Sequence, residues 1–179
     1  MDLAEDLLLS RGYNGFSYKD ISSALGIKNA AIHYHYPDKK DLGVAVIRRA
    51  RDQLQTWIQS ISEQRTPIGD VLDQIFGSYI QFMKSGNNIC LGGALETDFH
   101  TLPLEVQQET RAYVSEVIQW MKGIFSEGRE QGVFSFPGNP EDKAVLVLSS
   151  LQAAVQMVRV TDENLLYSVM NQIKTELRM

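Results

Sequence analysis

The side chains best suited to chemistry lie in one stretch, SYKDISSALGIKNAAIHYHYPDKKDL, from Ser17 to Leu42. Lys28 can neutralise a phosphate or reach guanine, Asn29 can pair with adenine, and the methyls of Ala30 and Ala31 can meet a thymine methyl. Tyr34, His35 and Lys39 can grip phosphates and set a register, with His33 on the same outward face and Ser17 at the start of the preceding helix. This is contact chemistry for a polyanion rather than bond-breaking chemistry. His33 and His35 are two apart and do not share a helix face. With one further histidine and one cysteine in the chain, a structural zinc site lacks soft ligands and no metal is expected. Glu96, Asp98 and His100 are close enough in sequence to be weighed as an acid–base group. No nucleophile elbow, phosphate loop or metal pattern accompanies them, so they read as surface or helix-cap groups in a chain that is no enzyme and needs no cofactor. Cys90 follows a turn at a helix start, where the dipole can lower a thiol's pKa; that makes it a candidate redox residue against the plainer reading of a small buried hydrophobe.

These groups need a scaffold, and the spacing supplies one. Ser22 gives a small residue at a helix–helix contact, Gly26 a turn four residues on, and Ile27 and Ile32 apolar anchors, which is the pattern of a helix-turn-helix whose second helix can enter a major groove. Charge agrees with it: residues 11–51 hold eight Lys/Arg against three acids, whereas residues 52–179 hold nine against sixteen. A basic end on an acidic body, in a chain of net charge −5, fits a polyanion partner touched by one end only. Helical period prevails throughout its 179 residues, and an all-α fold of about nine helices is predicted. Ser17 and Asp20 form a capping-box pattern, Pro37 closes the third helix, Asp38 caps a long fourth one, and Lys84 to Asn88 read as a turn. No apolar run reaches the ~20 residues of a membrane span. The acidic N-terminus is unlike a secretory signal, so a cytoplasmic location is expected.

The RGY turn, the Asp20–Ile21 pair and the block GIKNAAIHYHYPDKKDL resemble the TetR/AcrR family of bacterial transcriptional regulators over about residues 3–50, and CLGGAL followed by Leu102–Pro103 resembles one branch of it. Lys28 stands where the family usually has Ser or Thr, and Ser22 where it usually has Ala. The resemblance implies a helix-turn-helix domain over residues 1–50 and a ligand-binding and dimerisation domain over 51–179. It also implies a homodimer through the last two helices on a palindromic double-stranded DNA operator, acting as a repressor that a small-molecule effector releases. Trp57, Phe76, Tyr79, Met83, Phe99, Trp120 and Phe125 are expected to line the effector cavity, with Gln81, His100 and Gln152 as polar anchors. No charge cluster there recognises a strongly ionic compound, so a neutral or weakly polar effector is expected. An architectural DNA-binding protein with a solid, effector-free body is the alternative.

Overall fold

A computed structural model describes residues 1–85 and 89–178; the expected turn over Lys84 to Asn88 lies, from residue 86 on, outside the described residues. Among them the fold is all-α, with nine helices: α1 (Asp2–Arg11), α2 (Tyr18–Leu25), α3 (Asn29–His35), α4 (Lys39–Glu63), α5 (Ile68–Lys84), α6 (Leu91–Asp98), α7 (Leu104–Glu130), α8 (Pro140–Val158) and α9 (Asn164–Glu176). Short 3-10 turns cover Tyr13–Gly15 and Phe99–Thr101. The predicted order and number of helices are those observed.

Helix ends follow from side chains that satisfy free backbone groups. Asp20 accepts hydrogen bonds from the Ser17 N–H (2.8 Å) and hydroxyl (2.6 Å), closing the start of α2. The Asp41 carboxylate accepts the Asp38 N–H at 2.9 Å ahead of α4. Asn139 accepts the Asp142 N–H at 2.8 Å, and Pro140 occupies the first turn of α8. At the other end of α2, Gly26 takes the left-handed conformation (φ 66°), while Ile27 N–H reaches Ser22 O at 3.0 Å; without a Cβ this turn carries no steric cost. Gly128 is required for a different reason. A Cβ there would stand 2.2 Å from the Phe134 ring, whose N–H bonds back to Gly128 O.

Two compact units result. Residues 1–56 and 89–114 form the first, and residues 57–85 and 115–178 the second. The first unit takes in α6, which packs on α1 and on the Tyr13–Gly15 turn. Leu7, Leu8, Ile21, Val46, Ile47, Leu95 and Val106 are among its buried side chains. The second unit is built on a core of Leu72, Phe76, Phe125, Phe134, Leu151, Leu166 and Leu177, with α8 and α9 packed on each other and α5 on α8. Helices α4 and α7 each begin in the first unit and end in the second.

Candidate nucleic-acid interface and effector cleft

In the first unit, α3 is held by one buried residue, Ile32, which is 7% exposed. Its other positions, with Lys28 just ahead in an extended conformation, face solvent. Tyr34 is the extreme case, 84% exposed, with its ring 5.1 Å from and edge-on to that of His35. Lys28, Asn29, Ala30, Ala31, Tyr34 and His35 are thus all exposed, on either side of buried Ile32. Ile27, expected as an anchor, is 43% exposed and takes only part of that role.

Three of the expected contact residues do other work. His33 donates from Nδ1 to Pro37 O (2.9 Å) and meets the edge of Tyr18 at 4.7 Å; Tyr18 in turn donates its hydroxyl to Tyr36 O at 2.8 Å. The pair fastens the exit of α3 to α2, and burial and then the acids Asp41 and Asp38 push the Tyr18 phenol up to about 12. Ser17 spends its hydroxyl on Asp20, whose carboxyl is held low by those two hydrogen bonds. Lys39 is engaged within the first unit. Its ammonium donates to Tyr13 O (2.6 Å) and Phe16 O (2.5 Å) and lies 4.5 Å and 4.4 Å from the centres of their rings. Burial lowers its pKa. A lysine folded onto two carbonyls and two ring faces staples the 13–16 turn to α4. Tyr18 and Lys39 as fasteners escaped the sequence reading, since nothing in their spacing distinguishes a staple from a surface group.

The basic excess is likewise largely neutralised at home. Glu109 takes both Arg48 and Arg51 at 2.6 Å, Lys40 pairs with Glu105 at 2.5 Å, and Arg49 pairs with Asp2 and Glu5. Burial pushes the Glu109 carboxyl up, but the two guanidinium groups outweigh it and hold it low. Among the described residues Lys19 and Lys28 have no acid partner, and Arg11 only a loose one, Asp20 at 3.6 Å. The cationic footprint is smaller and closer to α3 than the count of charges implied.

Cys90 does cap a helix start, its sulfur accepting Gly93 N–H at 3.4 Å. Burial and Glu96 nevertheless push the thiol up, against the backbone hydrogen bond. The environment favours packing over reactivity. Asp98 accepts the Asn14 N–H at 3.0 Å, and Glu96 and His100 are exposed. Among the described residues no group of three or more potential metal ligands is found.

The second unit holds a cleft of about 630 Å³, formed by the end of α4, the start of α5 and the middle of α7. Of the residues expected to line an effector cavity, Trp120 lines this cleft. Trp57 packs edge-on to Trp120, ring centres 4.9 Å apart. Phe76 and Phe125 are core residues, fully enclosed by packing; Tyr79 and Met83 pack against that core. Gln81 is exposed, and Gln152 is half-buried. Phe99 lies in the first unit under the Arg111 guanidinium (4.8 Å), with His100 edge-on to it. Large apolar residues at helical spacing were core more often than lining. The lining instead combines Ile58, Ile61 and Ile124 with Arg65, Gln119 and Glu127, of which sequence gave no sign.

The sequence profile described as "Bacterial regulatory proteins, tetR family" matches residues 1–46. A TetR transcriptional regulator from Legionella pneumophila is 31% identical and superposes with a TM-score of 0.87, over 98% of this chain and 94% of that one. The chain belongs to the TetR family. A TetR-family regulator from Agrobacterium tumefaciens, 24% identical, has the same fold at a TM-score of 0.85, covering 99% of this chain and 90% of that one. The HTH-type transcriptional repressor DhaR of Mycobacterium sp. (strain GP1) is 23% identical over 155 residues, 86% of this chain and 77% of that protein. As a TetR-family member, the chain is a ligand-responsive DNA-binding transcriptional regulator, with α2 and α3 as its helix-turn-helix. Among the described residues no helix is long and apolar enough to cross a membrane.

Proposed function

We infer that the protein is a cytoplasmic repressor that binds a palindromic operator as a homodimer and leaves it when a small molecule occupies the second unit. The observation that carries this reading is the set of solvent-facing positions on either side of Ile32, from Lys28 to Tyr34, on a capped, turn-closed helix pair, in a chain whose curated relative is named a repressor. Lys28, Asn29, Ala30 and Ala31 read base edges at the entering end of α3, and Tyr34 and His35 contact the phosphate backbone. One short helix makes few contacts. Two on a symmetric site raise affinity through effective concentration, which is the functional reason for a dimer.

The dimer forms through α8 and α9. Exposed Val145, Leu146, Met157 and Val160 project from α8 and the residues just after it, beside an apolar groove of about 320 Å³ between the two helices. The cleft in the second unit favours a sensor over an architectural protein with a solid body. Its single Arg and single Glu, with an apolar floor, suit a weakly polar effector rather than a strongly ionic one. The effector acts by binding the low-affinity conformer better, since equal binding would shift nothing. Helix α4, which ends beside the cleft and begins beside α3, is the element that carries the change.

The test is a genome-wide selection of double-stranded fragments by the purified chain, followed by titration of the best fragment at several salt concentrations. A symmetric site bound with steep salt dependence is expected. Salt-insensitive or undetectable binding to every duplex defeats the reading.

A further inference from the structure

The end of α4 carries a backbone feature that its sequence does not require. Thr66 N–H bonds to Ile61 O (3.1 Å) and Arg65 N–H to Ser62 O (3.1 Å), a Schellman arrangement that puts Arg65 at the left-handed position, φ 50°. That position favours glycine, and at the end of α2 the same place is filled by Gly26. A side chain with a Cβ is strained there. Arg178, after α9, has the same φ of 50°, and what sets Arg65 apart is the cleft that it lines. Arg65 is a solvent-exposed residue that lines the 630 Å³ cleft. It has no hydrogen-bond or ion-pair partner among the described residues, whereas Arg48, Arg49 and Arg51 on the same chain segment are all paired.

The remaining walls narrow the chemistry. Ile58, Ile61, Ile124 and Trp120 offer an apolar bed, and Trp120 is braced by Trp57. Glu127, the one acid on the wall, accepts the Gln131 amide at 2.8 Å. A guanidinium fork matches the two oxygens of a carboxylate, while the nearby Glu127 charge works against a polyanion such as a phosphate monoester. We propose that this cleft binds an organic monocarboxylate with an apolar, ring-sized body, the Arg65 guanidinium holding the carboxylate and Trp120 the body. The proposal rests on the effector reading above and replaces its weakly polar ligand with one that carries a single negative charge.

The probe pair is 4-phenylbutyrate and 4-phenylbutanol, which share a body and differ in the charged end. Binding is followed by calorimetry and by the emission of Trp57 and Trp120, the chain's two tryptophans. The unmodified protein is expected to prefer the carboxylate by about tenfold or more, the ratio of one charge-assisted contact. Arg65→Gln and Arg65→Gly each bring the two probes to equal affinity, and Glu127→Gln tightens the carboxylate. Arg65→Gly also raises the thermal midpoint, since glycine relieves the left-handed position; weaker binding in a more stable protein separates a lost contact from a lost fold. Equal affinity of the two probes for the unmodified chain, a preference that survives both Arg65 substitutions, or no saturable binding of either probe at millimolar concentration overturns the proposal. Operator titrations keep the two readings apart. Carboxylate binding through Arg65 that leaves DNA held supports the site and defeats the effector mechanism; release by a neutral compound, unchanged in the Arg65 variants, supports the mechanism and defeats the site.

Discussion

Two lysines eleven positions apart show how far residue type alone leaves a role undecided. Lys28 and Lys39 were equivalent as candidate phosphate contacts, and the surroundings divide them. Lys28 stands in solvent ahead of α3 without an acid partner among the described residues, while Lys39 turns inward onto the carbonyls of Tyr13 and Phe16. Their substitutions therefore fail differently. Lys28→Ala is expected to leave the thermal midpoint in place, weaken operator binding, and reduce the slope of log affinity against log salt by about one, the loss of one neutralised phosphate. Lys39→Met strands two buried-side carbonyls and costs about 1–3 kcal/mol of stability, with the salt slope of the folded fraction unchanged. Fluorescence anisotropy on labelled operator and thermal unfolding followed by circular dichroism measure both. The exposed positions of α3 were legible in sequence because polar and small residues alternate around one apolar anchor, Ile32. The cleft was not, because Trp, Phe and Met at spacings of three and four mark a helix face that is buried without saying whether a core or a cavity covers it. Arg65 was hidden for another reason, since its role comes from a backbone angle rather than from its neighbours.

At the scale of elements, what sequence discloses best is where a helix starts. Ser17 and Asn139 announce their helices because capping is a short-range bargain between a side chain and the next three amides. Which helices then share a unit depends on contacts between residues far apart in the chain, such as those that group α6 and the start of α7 with α1 to α3. Within the first unit α4 is tied to α7 by ion pairs, Lys40 to Glu105 and Arg48 and Arg51 to Glu109. Glu109, with its side chain 13% exposed, is the member that matters, because pairs shielded from water keep more of their attraction than exposed ones. Its carboxyl is held below the ordinary glutamate value, so the unfolded chain binds a proton more readily than the folded one. The stabilisation is then fully present above that ordinary value, about 4.3, and is lost as pH falls through the lower folded value. Glu109→Gln is expected to cost about 1–3 kcal/mol at neutral pH and to flatten the loss of stability in acid. Urea unfolding at a series of pH values from neutral downward reads both effects; an acid slope identical to that of the parent chain would show that the pair contributes nothing.

For the whole molecule, the exposed apolar side chains are distributed unevenly, and that asymmetry makes a prediction. Scattered apolar residues on a surface need no explanation. Leu146 at 53% exposure and Met157 at 50% are different: they flank a groove whose other walls include Ala153, Leu165 and Val169. Small residues there permit close helix approach, and a second copy of α8 and α9 would bury the patch by the same effect that builds the core, at roughly 25 cal/mol for each Å² removed from water. A charge placed in the middle of such a face must be desolvated or must part the copies, and desolvation of an unpaired carboxylate costs several kcal/mol. Parting wins. Leu146→Glu combined with Met157→Glu is expected to yield a folded monomer by sedimentation, with an unchanged helical circular-dichroism signal because both positions face solvent in the single chain. Operator affinity then falls by more than about tenfold, while binding of 4-phenylbutyrate to the cleft of each chain is retained. A double variant that still sediments as a dimer places the interface elsewhere, and one that binds the full operator with parental affinity as a monomer removes the argument that two recognition helices must act together.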